Sequence, residues 1–129
     1  MAGIRIGACG GGYGGSSVDI RFLESTGLIE CQGSVYVLIY GCNPRNSGGI
    51  GVYIRGSSVV VSNCDFGTDV VQDAIVADNA SIVASRFNQG NATRYGLASY
   101  VGAIICKDGF QPTGTTANEH KAVGGQIFS

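Results

Sequence analysis

Three aspartates lying close together in the chain could carry acid–base chemistry. Asp65, Asp69 and Asp73 follow one another at intervals of four residues, around the segment that comes after Phe66. Hydrolysis of a glycosidic bond needs two carboxyl groups roughly 5 to 9 Å apart, one of them held protonated. A loop with three carboxylates could supply such a pair, and these aspartates are our catalytic candidates. We favour the alternative that they are solvated turn residues, because aspartate suits turn backbone.

The five cysteines favour packing over metal binding or catalysis. They form no Cys-x-x-Cys pair, and the lone His120 is distant from all of them in sequence. Tetrahedral zinc needs clustered thiolate and imidazole ligands, so we expect no metal. Reduced and buried, a cysteine acts as a small hydrophobic residue. We therefore expect one interior column made of Cys42, Cys64 and Cys106.

A glycine-rich segment near the start of the chain matches the dinucleotide-binding pattern G-x-G-x-x-G. Residues 10–15 carry it. That site needs a strand before the motif and a helix after it, so that the pyrophosphate meets the N-terminus of the helix. Residues 16–20, Ser-Ser-Val-Asp-Ile, are not a helix start. We expect a glycine-rich flank over residues 1–17 and no cofactor.

Composition decides between helix and sheet and excludes two classes of partner. Of the 129 residues 25 are valine or isoleucine, whereas only 5 are leucine or methionine. Branching at Cβ suits a pleated strand, which predicts an all-β protein. The net charge of −1 offers no basic stripe for nucleic acid. No apolar run approaches the roughly 20 residues that span a bilayer, so we expect no membrane insertion.

Cysteine spacing indicates a repeat of 21 or 22 residues. Residues 39–44, 61–66 and 82–87 align as one unit, and Cys42, Cys64, Ser85 and Cys106 form a column with this step. A fixed period in this range is typical of a solenoid, in which stacked coils bury one continuous core. A β-sandwich with coincidental spacing is the alternative. The repeat predicts seven inward-facing side chains: Ile39, Cys42, Val61, Cys64, Phe66, Ile82 and Phe87.

The unit Ile/Val-x-x-Cys/Ser-x-Phe resembles a coil of the right-handed parallel β-helix of the pectate-lyase-like superfamily, which includes bacteriophage tailspikes and tail fibres. The resemblance covers residues 18–108, at roughly 22 residues per coil. It implies a short right-handed parallel β-helix of about four coils. Residues 109–129 are expected to be a non-repetitive tail that caps the coils or contacts another subunit.

The resemblance implies a structural and receptor-recognition segment of a phage tail fibre or tailspike, which presents loops to a cell-surface glycan. Such a protein is assembled in the host cytoplasm and ends in the virion. Our candidates for carbohydrate binding are Arg94, Tyr95 and Tyr100. The alternative is a polysaccharide-degrading glycosidase or lyase, or a fragment of one. Lyases of this fold combine carboxylates with basic residues, for which Arg55, Arg86 and Arg94 are available.

A solenoid of few coils has two open ends and a limited core, which favours self-association. Tyr36, Tyr40 and Phe110 are aromatic residues available for an interface. Composition alone suggests a dimer, because two-fold symmetry is the commonest. The resemblance instead implies a homotrimer, in which residues 109–129 wrap a neighbouring subunit and bury Ile127 and Phe128 near the three-fold axis.

Overall fold

The computed structural model describes residues 3–7, 17–33 and 36–129. Within these ranges every regular element is a β-strand, and all strand pairs are parallel. The strands stack into a β-solenoid of about five turns, so the predicted all-β solenoid is confirmed. Each strand pairs with the equivalent strand one coil later, which is how a chain of short β-branched segments satisfies its backbone groups.

Two six-stranded sheets form the main walls of the solenoid. The first sheet contains β1 (Ile4–Gly7), β4 (Ile29–Gln32), β7 (Ile50–Arg55), β10 (Asp73–Asp78), β13 (Tyr95–Tyr100) and β16 (Ala117–Ala122). The second sheet contains β2 (Ser17–Arg21), β5 (Tyr36–Tyr40), β8 (Ser58–Ser62), β11 (Ile82–Arg86), β14 (Ile104–Asp108) and β17 (Gln126–Phe128).

Shorter strands form a third wall. The third sheet contains β9 (Asp65–Thr68), β12 (Gln89–Ala92) and β15 (Thr113–Gly114). In the preceding coils, β3 (Glu24–Ser25) pairs with β6 (Asn43–Pro44). The core lies between the walls and is made of aliphatic side chains, with Ile39, Ile54, Phe66, Ile75 and Leu97 all fully buried.

The observed coil is longer than the predicted one where the chain turns from the first sheet to the second. Arg55 pairs with Asp78, 23 residues later, but Ser58 pairs with Ile82, 24 residues later. The later coil therefore holds one more residue in this corner. Because of this residue, Val61 lies beside Ser85 and not beside Ile82.

This register overturns part of the predicted interior. Cys64 and Ser85 are not neighbours, because Cys64 lies beside Asn88, whose Oδ1 accepts a hydrogen bond of 2.9 Å from the Cys64 amide. An odd-numbered shift moves a side chain to the opposite face of a strand. The predictions that Ile82 and Phe87 face inward are therefore wrong, as they are 56% and 43% exposed. The prediction for Cys106 is also wrong, because it is exposed on the outer side of the second sheet.

The remaining predictions of the interior are confirmed. Five of the seven residues are buried: Ile39, Cys42, Val61, Cys64 and Phe66. They come from the coils on either side of the 22-residue step between Cys42 and Cys64, where the predicted period and the observed register agree.

Towards the C-terminal end, polar side chains replace aliphatic ones inside the solenoid. Asn88 is fully buried, and its Nδ2 donates to the carbonyl of Val61 and to Oγ of Ser85, both at 2.9 Å. One coil further on, Lys107 lies in the Val61–Ser85 column and pairs with Glu119 of the first sheet. Charged groups that point inward protect an open sheet edge from pairing. The polar side chains thus end the apolar core.

Residues 109–129 form the last coil, so their description as a non-repetitive tail is wrong. Strands β15, β16 and β17 pair in parallel with β12, β13 and β14 of the preceding coil. Ile127 lies beside Ile105 and is 8% exposed within the core of its own chain. At the other end, Ile4–Gly7 extends the first sheet beyond residue 18, whereas residues 8–16, with Cys9 and the glycine motif, lie outside the described ranges.

A left-handed residue ends each second-sheet strand and turns the chain towards the third wall. These residues have φ between 50° and 67°, and their amides donate to a carbonyl of the next coil where one follows. Glycine is required at one of these positions, since a Cβ on Gly109 would lie 2.3 Å from the ring of Phe87. The five residues are Phe22, Gly41, Asn63, Phe87 and Gly109.

The Asn88 network allows a test of this register. Asn88→Ala would leave the Cys64 amide and the Val61 carbonyl buried without partners, and we expect the free energy of unfolding to fall by about 3 kcal/mol. Gln89→Ala, an exposed amide bonded to Asp65, is the matched control and should change it by less than about 0.5 kcal/mol. Urea denaturation measures both values. Equal losses in the two variants would contradict the assigned register.

Candidate functional site

The outer face of the first sheet brings together the three residues predicted to bind carbohydrate. Strand β13 begins with Tyr95 and ends with Tyr100, and Arg94 immediately precedes it. The ring of His120 in β16 stacks on that of Tyr95, with centroids 4.4 Å apart and planes 4° from parallel. Tyr100 contacts the same imidazole at 5.5 Å, and the guanidinium carbon of Arg94 lies 4.9 Å from the centre of the Tyr95 ring. We call Arg94, Tyr95, Tyr100 and His120 the aromatic cluster.

Two small apolar side chains form the floor of this cluster. Val76 and Ala98 pair with each other in adjacent strands, and Ala98 also pairs with His120. Both are buried, at 3% and 0% exposure, yet neither belongs to the set of side chains packed inside the solenoid. Because side chains alternate along a strand, they point outward beneath the rings. Their small size leaves room for the rings to lie against the sheet.

A buried carboxylate holds Arg94 in place. Asp73 is 1% exposed and accepts from Arg94 Nε at 2.9 Å and from Nη2 at 2.5 Å, in a two-point contact. It also accepts from the Tyr95 amide at 3.2 Å. Hydrogen bonding to Asp73 raises the pKa of Arg94 above its already high value. The Arg94 side chain stays 42% exposed, so part of the guanidinium remains accessible from solvent.

The polar surface continues from the cluster towards earlier coils. Tyr53 donates a hydrogen bond of 2.8 Å from its hydroxyl to Asp78. Burial, followed by this bond, raises the pKa of Tyr53 to about 12. Burial also raises the pKa of Tyr100, with a further contribution from Asp73. Both phenols are therefore protonated at neutral pH and can donate hydrogen bonds.

The other two aspartates proposed as catalytic lie on a different wall. Asp65 in the third sheet accepts from Gln89 at 3.0 Å and lies 3.4 Å from Arg45. Asp69 follows the same strand with φ of 55° and accepts from Asn91 at 2.8 Å. Asp73 is held separately by Arg94. Each carboxylate thus has its own partner.

The basic residues proposed beside them are also separated. Arg55 ends β7 on the first sheet, with its guanidinium carbon 5.9 Å from the ring centre of Tyr53. Arg86 ends β11 on the second sheet, in a different wall of the solenoid. Sequence reasoning missed His120 as a site residue, because residues 109–129 were expected to lie outside the coils. Its position one coil after Ala98 was the signal that the correct period would have supplied.

The buried thiols are inert at neutral pH. Burial raises the pKa of Cys31 to about 12. Cys64 contacts Cys42 of the preceding coil, and this contact together with burial raises its pKa strongly. Since the thiolate is the reactive form, these cysteines act as core residues.

Among the described residues, no three His, Cys, Asp or Glu side chains come close enough to hold a metal ion. The same part of the chain contains no helix long and apolar enough to cross a membrane. The aromatic cluster offers phenol hydroxyls, an imidazole and part of a guanidinium on a rigid surface. These groups can hydrogen-bond a polar ligand, and ring edges can contact its apolar parts.

The Arg94–Asp73 pair makes a stability prediction. Arg94→Met would leave the Asp73 carboxylate buried and unpaired, and we expect the free energy of unfolding to fall by about 3 kcal/mol. Adding Asp73→Asn should recover most of this loss. Arg45→Met, next to the 35%-exposed Asp65, is the control and should cost less than about 1 kcal/mol. Urea denaturation would contradict the pairing if the double variant were less stable than Arg94→Met alone.

Tyr53 predicts a loss of stability at alkaline pH. Its pKa is about 12 in the folded chain and about 10 when unfolded, so the unfolded state releases its proton first. The stabilisation is complete below pH 10 and is lost as the pH rises to 12. Denaturation across this range should show a smaller decline for Tyr53→Phe than for the native protein. Tyr36→Phe, an exposed tyrosine of the second sheet, should behave as the native protein does.

Comparison with known proteins adds no family assignment. No protein-family model matches the chain, and neither a curated protein nor a solved structure matches it. The fold therefore stands on the strand pairing described above, and the function has to be argued from the site.

Proposed function

We propose that this chain is a structural and receptor-recognising segment, of the kind found in phage tail fibres and tailspikes, which binds a cell-surface glycan and acts in the virion. The observation that supports this proposal is the stack of Arg94, Tyr95 and His120 above the buried Asp73. The binding surface is the outer face of the first sheet.

The chemistry of the aromatic cluster suits a sugar. Both faces of the Tyr95 ring are in contact, one with Arg94 and the other with His120, so the ring presents its edge and its hydroxyl. Tyr100 adds a second protonated phenol, and part of the Arg94 guanidinium faces solvent. A saccharide carries hydroxyl groups that both donate and accept, beside apolar C–H groups. Phenol, imidazole and guanidinium groups match this mixture.

The rigidity of the surface supports recognition. Tyr95 and Tyr100 lie in a strand paired on both sides, and Asp73 fixes Arg94 at two points. A site already held in its bound geometry loses little conformational entropy when the ligand arrives. A neutral surface with fixed donors can therefore bind a sugar by many modest contacts.

The same geometry favours binding over hydrolysis. A glycosidase needs one protonated carboxyl group and one free carboxylate on opposite sides of the scissile bond. Near the cluster, Asp73 is occupied by Arg94 and Asp78 by Tyr53. Neither carboxylate is free for the reaction.

Binding to bacterial glycans tests the proposal. The native protein should bind members of an array of capsular and O-antigen polysaccharides, and calorimetry should give affinities for oligosaccharides from the positive samples. Tyr95→Ala and His120→Ala should each weaken the affinity at least about tenfold, as expected when contacts at the centre of a site are lost. Tyr40→Ala is the matched control, because Tyr40 has the guanidinium carbon of Arg21 5.5 Å from its ring centre on the second sheet. It should leave the affinity unchanged.

Two outcomes would contradict the proposal. Equal losses in Tyr95→Ala and Tyr40→Ala would place the binding surface elsewhere. A reducing-end assay that showed turnover, abolished by Asp69→Asn or Asp73→Asn, would instead support the polysaccharide-degrading enzyme.

A further inference from the structure

The outer face of the second sheet carries an apolar groove. The groove has a volume of about 330 Å³, and Leu38, Val60 and Ala84 line its centre in three successive strands. At its margin, Tyr36 and Ile82 are 59% and 56% exposed. A contiguous apolar surface of this kind marks an interaction site. We call it the second-sheet face.

Charged residues lie at the two ends of this face. Strand β2 contributes Asp19 and Arg21 at one end, whereas β11 and β14 contribute Arg86 and Asp108 towards the other. The register places Arg21, Arg86 and Asp108 in one column, with Arg21 at its start and Asp108 four strands later. At a strand spacing of about 4.8 Å, roughly 19 Å separate these two positions.

We propose that the second-sheet face packs against the same face of a second copy of this chain, around a two-fold axis that runs along β8. The axes of the two solenoids are then antiparallel. Strand β8 lies on its own copy, β5 lies on β11, and β2 lies on β14. An interface of this kind is self-complementary, as two-fold symmetry requires.

The side chains brought together by this arrangement match in charge and in size. Arg21 of one copy meets Asp108 of the other, and within the described ranges Asp108 has no ion pair of its own. The large Leu38 lies opposite the small Ala84, and Val60 lies on its own copy. Opposite charges at the ends of an apolar centre fix the register of two surfaces.

A parallel arrangement through this face fits less well. A three-fold axis parallel to the solenoid keeps equal coils at equal height, and it would bring the Asp19 carboxylates of neighbouring copies together. Like charges facing each other disfavour an interface. Composition suggested a dimer and the resemblance a trimer, and the charges of this face favour the dimer. Six strands of about five residues measure about 24 by 17 Å, a small interface for which we expect micromolar affinity.

Sedimentation equilibrium of the full chain at up to 100 μM tests the dimer, with about 100 μM chosen to exceed the expected dissociation constant. The native protein should be a dimer. Val60→Asp would place two carboxylates at the two-fold axis, and the dissociation constant should rise roughly a hundredfold. Val123→Asp is the matched control, because Val123 is 75% exposed at a corner outside this face, and it should remain dimeric. A native monomer or trimer would overturn the proposal.

A charge exchange tests the antiparallel orientation. Arg21→Asp should weaken the dimer about tenfold, and adding Asp108→Arg to the same chain should restore it. Because the two positions are roughly 19 Å apart within one chain, the rescue can only act between copies. Failure of the rescue would exclude the antiparallel pairing.

A cross-link covers the case in which Val60→Asp does not fold. In a Cys106→Ser background, Val60→Cys should give a disulfide-linked dimer under oxidation, and Val123→Cys should not. Equal cross-linking of both variants would contradict the interface. The proposal does not depend on the glycan: the monomeric Val60→Asp protein should keep the native affinity for any bound oligosaccharide, because the aromatic cluster lies on the other main wall.

Discussion

Parallel pairing of each strand with its equivalent one coil later is the constraint on which the whole structure depends. It satisfies the backbone of short strands without any hairpin, and it requires equivalent positions to stack in columns. A column can therefore have one character along its length, or change character only where the fold can tolerate it. The apolar column of Ile39 and Val61 changes to Ser85 and then to Lys107 towards the C-terminal end.

The corners decide how these columns are aligned. One additional residue between β10 and β11, compared with the corner between β7 and β8, places Ser85 and not Ile82 next to Val61. The left-handed residues after the second-sheet strands turn the chain at a constant position in each coil, although only some of them are glycine. Phe87 and Asn63 adopt this conformation because the amide ladder along the corner holds them there.

The two main walls differ in the chemistry of their outer faces. On the first sheet, Asp73 neutralises Arg94 and supports a packed surface of tyrosine and histidine. On the second sheet, the outward positions are aliphatic at the centre and charged at the ends. A rigid solenoid can thus present a polar surface to a ligand and an apolar one to another protein chain, since each face is built from different residues of the same strands.

Sequence alone determined the fold class, because β-branched residues at a near-constant period can bury their apolar sides only by stacking. It also identified the buried centre around Cys42, Cys64 and Phe66, and three members of the aromatic cluster, although no spacing linked Arg94, Tyr95 and Tyr100 to one surface. Tertiary structure decided what depends on the exact length of a coil. A single residue added in one corner moves Ile82 and Phe87 outward, seats Asn88 beside Cys64, and carries His120 onto Tyr95 in a coil that the predicted period did not reach. Local composition does not encode such a shift, because the face on which a strand residue lies is set by the register of its neighbours.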